Sequence, residues 1–280
     1  GQPAAAGRMA AGFERLLADY PASKAGAQAH FWIGYAASDA GRPGEAIASL
    51  EQARELGPDK YGERATLRLL LSHYQLQDRA ATGREAKALG AEKAPAEVRE
   101  WLGWSALEAA DYATAAEFLA PLADLEGATP ELRLSLAQAQ LGSGQNEAAR
   151  RTLEQLLPKV HEPRLKARTY LLMADVLLAL RDGAGAKTQA EEAQRLQPEG
   201  RLNAEARLAN GRALLAQDKF DDAARAFMAV ALLYDEKDLT PQALALAEQA
   251  YRRADNPGDA DRAREELQRR YPDFKVPVPS

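Results

Sequence analysis

The sequence predicts an all-α protein, a solenoid of paired helices, and three observations carry that expectation. Alanine and leucine dominate its apolar residues, and runs of valine, isoleucine and threonine that would favour strands are absent. Small residues recur at a fixed spacing along the chain. Breaks containing glycine or proline fall between apolar stretches of helical length.

The 280 residues are 46% hydrophobic and 28% charged, as in a folded chain, and the length alone suggests two domains. Aromatics are only 6%, so the expected core is alanine and leucine, with helices packed close. The net charge is −5 with acids and bases interspersed, which offers nucleic acid no basic footprint. The absence of cysteine excludes disulfides, thiolate metal sites and cysteine nucleophiles, and it fits cytosol and periplasm alike. The longest apolar run, Tyr170 to Leu180, is broken by Asp175 and is too short to span a bilayer. No signal peptide opens the chain. The start, Gly1-Gln2-Pro3, has no initiator methionine and suggests a processed or truncated chain, so export stays open.

The front stretch "MAAGFERLLADYP" reads as the second helix of a pair, with Phe13, Leu16 and Pro21 at repeat positions 24, 27 and 32. Its first helix is missing, so residues 1–26 are expected to be half a unit cut from a longer protein. The first complete unit starts at Ala27 and puts Gly34 at position 8, Ala46 at 20, Leu50 at 24, Ala53 at 27 and Pro58 at 32. Glycine inside a helix costs roughly 0.5–1 kcal/mol against alanine, so Gly34 predicts a very close neighbour, expected to be Ala46. The break "GRPG" predicts that Gly41 ends one helix and Pro43 opens the next.

Ala65 to Leu89 keeps a two-helix rhythm with few of these residues. Gly103, Tyr112, Ala115 and Leu119 then fill positions 8, 17, 20 and 24. Ala137, Gly144, Ala149 and Leu153 fill 8, 15, 20 and 24. Tyr170, Ala174, Ala186, Ala193 and Pro198 fill 4, 8, 20, 27 and 32. Gly211, Phe220, Ala223 and Phe227 repeat 8, 17, 20 and 24, and a last pair fits with Tyr251, Ala260, Leu267 and Pro272 at 11, 20, 27 and 32. Residues 27–272 are therefore expected to hold about seven units, and 273–280 a C-terminal tail. Small residues at 8 and 20 are expected where the two helices cross. Residues at 24 and 27 are expected on the next unit's first helix, and prolines at 32 to end second helices. Ala46→Leu or Gly103→Leu is expected to overpack the crossing, at a cost on the order of 1–3 kcal/mol.

These residues resemble the tetratricopeptide repeat, a helix-turn-helix unit of about 34 residues, over nearly the whole chain. The resemblance implies a right-handed superhelix whose concave wall is lined by positions 2, 5, 9 and 12 of the first helices. Here those positions hold Gln28, Phe31, Tyr35 and Ser38; Glu97, Glu100, Trp104 and Leu107; Glu131, Leu134, Gln138 and Leu141; Arg168, Leu171, Asp175 and Leu178; and Glu205, Leu208, Arg212 and Leu215. The residues expected to meet a peptide or helical partner are Phe31, Tyr35, Arg68, Glu100, Trp104, Gln138, Asp175 and Arg212. Trp32 and Trp104 have an equal claim as fillers between units, the leucines are expected to face neighbouring helices, and Glu100, Asp175 and Arg212 also read as solvated charges. Chaperone-binding members of the family clamp a terminal carboxylate with lysine and asparagine at positions 5 and 9. Those residues are not at these positions, so such a ligand is not expected.

No chemistry stands beside the repeats. His30, His73 and His161 are spread too widely for a zinc site, and His30 reads as a packed core histidine. "GSGQ" and "DGAGAKT" are glycine-rich, but the second reads Ala186-Lys187-Thr188 where a phosphate loop needs Gly-Lys-Thr, so both are expected to be inter-helix turns. Asp221-Asp222 and Glu191-Glu192 are expected on exposed helix faces. The chain is expected to be no enzyme and to take no cofactor or metal.

The stretch "YPASKAGAQAHFWIGYAASDAGRPGEAIASLEQA", with the ends "LADYP" and "LQRRYPDF", resembles periplasmic bacterial members of the family. That resemblance implies a scaffold in cell-envelope assembly or secretion, with self-association through a solenoid end as a further expectation. The accessory repeats of an enzyme whose catalytic domain lies outside this chain, and a cytosolic adaptor, are the alternatives.

Overall fold

The computed structural model describes residues 2–20 and 23–275, with side chains from Arg8 onward. Fifteen α-helices run through the described residues and no strand occurs among them. The helix α1 (Gln2–Asp19) comes first and packs on α2. Seven hairpins follow. They are α2 (Gly26–Asp39) with α3 (Pro43–Leu56), α4 (Pro58–Gln75) with α5 (Arg79–Leu89), and α6 (Ala96–Glu108) with α7 (Tyr112–Ala123). Next come α8 (Pro130–Gly142) with α9 (Asn146–Leu156), and α10 (Pro163–Ala179) with α11 (Gly183–Leu196). The last are α12 (Gly200–Leu215) with α13 (Phe220–Leu233), and α14 (Leu239–Arg253) with α15 (Pro257–Arg270). The chain forms two compact units, Gly1–Glu126 with α1 to α7 and Gly127–Ser280 with α8 to α15.

One turn geometry closes all seven hairpins. Just past the C-cap of the first helix one residue adopts positive φ: Gly41, Gln77, Ala110, Gly144, Arg181, Asp218 and Asp255. The next N–H then reaches back to a carbonyl of the helix, as Asp111 N–H does to Ala106 O (2.9 Å) and Asp182 N–H to Leu177 O (2.8 Å). This is the Schellman closure, and it satisfies carbonyls that the helix end would leave bare. Several second helices are capped at once: the side chains of Asp78, Asp111, Asp182 and Asn256 accept from backbone N–H groups of the new first turn. Gly41 therefore stops α2, and Pro43 opens α3.

Gly34 is fully covered, and its nearest neighbour differs from expectation. A Cβ built there would lie 2.6 Å from Leu50 Cγ and 3.0 Å from Ala46 O. On Gly103 it would lie 2.4 Å from Leu119 Cδ2, and on Gly211 2.4 Å from Phe227 Cε1. Position 24 thus sits on position 8 of its own hairpin, whereas the sequence reading sent it to the next unit. The reason is size: alanine at 20 lets the backbones approach, and the leucine or phenylalanine one turn later fills the space that glycine leaves. The hairpin α4–α5 reverses the sizes, with buried Leu70 on the first helix and buried Ala86 on the second in one cluster. In α10–α11 both are alanine, Ala174 and Ala190.

Three further expectations change. Pro58 does not merely follow α3; it occupies the first turn of α4, where its missing N–H costs nothing. Consequently α4 starts seven residues before Ala65, since residues 58–64 are helical too. "DGAGAKT" enters a helix instead of forming a turn, because Asp182 caps α11 through Gly185 N–H (2.8 Å). Pro21 lies outside the described residues, as do residues 276–280 of the expected tail.

Candidate functional site

In the unit Gly1–Glu126 the first helices carry an aromatic cluster. Phe31 on α2 stacks on Tyr61 of α4 at 5.1 Å between ring centroids. Trp32 meets Phe31 and Tyr35 edge-on, each at 5.4 Å. Above these rings lies a row of cations from one face of α4. Lys60 Nζ is 5.3 Å from the Tyr61 ring, Arg64 Cζ 4.4 Å from Phe31 and 5.9 Å from Trp32, and Arg68 Cζ 4.0 Å from Tyr35. Spacing of four residues puts the three on one helix face, about 6 Å apart along the axis. Each contact contributes about 0.5–1 kcal/mol at an exposed site.

The cluster corrects one expectation. Phe31 is only 1% exposed, because Arg64 and Tyr61 cover its two faces, so it presents no surface to a partner. Tyr35 and Trp32 stay half-buried and reachable. Arg68 is half-buried against Tyr35. On α6, Trp101 packs edge-on against Tyr74 of α4 at 5.3 Å. One turn later Trp104 remains 37% exposed, and Glu100 and Glu97 are exposed beside it.

In the unit Gly127–Ser280 the same helix positions are more polar. Gln138 is exposed on α8. Asp175 on α10 and Arg212 on α12 face each other at 3.9 Å between Oδ1 and the guanidinium. They form a loose ion pair across neighbouring first helices. Burial pushes the Asp175 carboxyl above its ordinary value, Arg212 pulls it down, and Glu205 adds to the rise. Leu134 and Leu208, at position 5, are buried, while Leu171, Leu178 and Leu215 are half-buried. The accessible row of the first helices is therefore position 9, and position 5 is largely closed by the neighbouring helix.

Of the eight residues expected to meet a partner, the structure joins Tyr35 with Arg68, and Asp175 with Arg212. Trp104 and Glu100 share α6, Gln138 stands on α8, and Phe31 is core. Lys60, Arg64 and Tyr61 were missed. Their signal was the basic spacing 60, 64, 68, but that reading needs α4 to start at Pro58. His30 is half-buried on α2, and burial lowers its pKa, as for a packed histidine. Asp222 and Glu191 pair with Arg225 and Lys187 on their own helices, and Glu192 with Arg195 at 2.6 Å. Among the described residues no cluster could hold a metal ion, and no helix is long and apolar enough to cross a membrane.

Two family models, both described as tetratricopeptide repeat, match residues 27–60 and 106–168. No curated protein matches the chain. Among solved structures, the C-terminal part of a TPR repeat-containing protein from Cytophaga hutchinsonii is 16% identical, covers 88% of this chain and 96% of its own, and superposes with a TM-score of 0.50. Its likeness is one of fold. Pseudomonas aeruginosa pilF is 16% identical over 89% of this chain and 93% of its own, with a TM-score of 0.43. A tetratricopeptide repeat protein from Parabacteroides merdae is 17% identical over 85% of this chain and 90% of its own, also at 0.43.

Proposed function

Because the chain belongs to the tetratricopeptide-repeat family and is on that account a protein–protein interaction scaffold, we propose that it binds a polypeptide segment across the first-helix wall of α2, α4 and α6. One observation carries the reading: Tyr35, Trp32 and Trp104 keep accessible aromatic surface on this wall. Half-open aromatic rings beside cations suit a partner that supplies both apolar and polar contacts. The wall holds no nucleophile–base pair, and we assign the chain no chemistry of its own.

Photocrosslinking tests this. A benzophenone side chain at position 35 or 104 is expected to give a discrete adduct in cells, and one at the exposed Ala48 on α3 none. Adducts at position 48 alone, or at none of the three, overturn the reading. The resemblance of the repeats to periplasmic bacterial members of the family supports a role in bacterial cell-envelope assembly or secretion. Fractionation of cells expressing the natural gene is expected to recover it with the periplasm or membranes, and recovery in the cytosol alone favours an adaptor there.

A further inference from the structure

We propose that Lys60, Arg64 and Arg68 form a rail for an extended acidic peptide whose carboxylates stand on alternate residues. The proposal rests on reading this wall as a partner-binding face, and it names the chemistry of the partner.

The three cations lack, among the described residues, what several others in this unit have: a carboxylate partner. Elsewhere in the same unit Arg42 pairs with Glu45, Arg54 with Glu85, Lys87 with Glu117 and Lys93 with Glu63. Among the described residues Lys60, Arg64 and Arg68 have no carboxylate within ion-pair reach. Glu63, their neighbour in sequence, turns away to Lys93 at 3.1 Å. Like charges four residues apart on a helix repel, and among the described residues no ion pair neutralises them. An anionic partner would.

The aromatic rings hold the cations in place, and a guanidinium over a ring face can still donate its N–H groups to a carboxylate. Holding the donors beforehand lowers the ordering cost of binding. Cations four residues apart on a helix are about 6 Å apart. Alternate side chains of an extended strand are about 6.6 Å apart and point the same way. A segment with glutamate or aspartate at every second residue therefore matches the rail in register. Glu97 and Glu100 on α6 would repel a longer acidic run, so the acidic stretch is short and gives way to apolar residues near Trp104. The whole chain carries −5, so an anion is drawn to this rail by local charge and not by the net field.

The test is fluorescence anisotropy with a short labelled peptide alternating glutamate and serine. Saturable binding that weakens as salt rises is expected. Arg64→Gln/Arg68→Gln is expected to weaken it by at least about tenfold, as loss of charge-paired contacts does, and Lys60→Gln by a smaller factor. A glutamine–serine peptide is expected not to bind. Arg79→Gln/Arg84→Gln, on the exposed basic start of α5, controls for general attraction and is expected to leave binding unchanged. Absence of binding, equal binding by the Arg64/Arg68 variant, or loss only in the Arg79/Arg84 variant overturns the rail. If the peptide fails while crosslinks from positions 35 and 104 persist, acid recognition is wrong and the binding face stands. If the peptide binds while those crosslinks are absent, the rail stands and the part assigned to the rings at positions 35 and 104 falls. Lys60 is exposed, so its single variant keeps the test decisive should the double variant unfold.

Discussion

Leu119 Cδ2 lies only 2.4 Å from where a Cβ on Gly103 would be, and Leu119 Cγ only 2.6 Å away. The two residues share one space between α6 and α7. Because Cγ stays in place under rotation about χ2, the side chain can clear the new atom only by changing χ1 or by a shift of the helix. Gly103→Ala is therefore expected to destabilise the chain, although alanine is the better helix former by about 1 kcal/mol. Overpacking costs typically about 1–3 kcal/mol, so the net loss is about 1 kcal/mol. Leu119→Ala should lose stability alone and rescue part of the loss in Gly103→Leu, since Leu70 with Ala86 shows the reversed pair already accommodated. Urea titrations of the four proteins measure the coupling, and purely additive losses would refute the shared space.

That relationship also shows how far the sequence reading carried. The helices and their register were legible because Gly34, Gly103 and Gly211 sit among alanines at one spacing, and only close-packed helices keep glycine there. The partner of each glycine was not legible, because the chain order does not say whether position 24 leans back or forward. Leu70 and Ala86 hid for the opposite reason: with the sizes reversed, α4–α5 lost the small residue that marks the repeat. The partner wall was half legible. Tyr35 and Trp104 follow from their helix positions, but Phe31 is buried by side chains from α4, which no reading of α2 alone could supply.

Ala110 closes α6 at a φ of 56°, in the left-handed region that costs a residue with a Cβ roughly 1–2 kcal/mol. Gly41 and Gly144 do the same work in their hairpins without that cost. Ala110→Gly is expected to stabilise the protein by about 0.5–1 kcal/mol, part of the relief being lost to the greater freedom of glycine in the unfolded chain. Denaturant unfolding measures it, and a lower midpoint would show that the alanine methyl is held by contacts worth more than the strain.

Asp182 accepts from Gly185 N–H at 2.8 Å and opens α11. Asp182→Ala leaves that donor to water, and the expected cost is about 1 kcal/mol. Asp182→Asn and Asp182→Ser keep an acceptor and should lose only a few tenths, which thermal melts can rank. Equal stability of the alanine and asparagine variants would mean that the cap does not contribute.

Asp175 offers a test in pH. Burial raises its carboxyl above the usual 3.8, Glu205 adds to the rise, and Arg212 opposes it from 3.9 Å. An acid whose pKa is raised by folding holds its proton more tightly in the folded chain than in the unfolded one. Its contribution is therefore most favourable below 3.8, declines as pH rises through the raised value, and stays at the lower level at neutrality. Asp175→Asn keeps the shape without the charge. Its melting temperature is expected to exceed the parent's only slightly at neutral pH, since the Asp175 side chain is itself 45% exposed, with the gap closing once the pH falls well below 3.8, where aspartate is neutral in both states. Arg212 loses its partner in the variant, but its side chain is 36% exposed and water replaces the contact. Melts at the two pH values decide the matter: a variant less stable than the parent at neutrality would mean that the pair with Arg212 outweighs the cost of burying the charge.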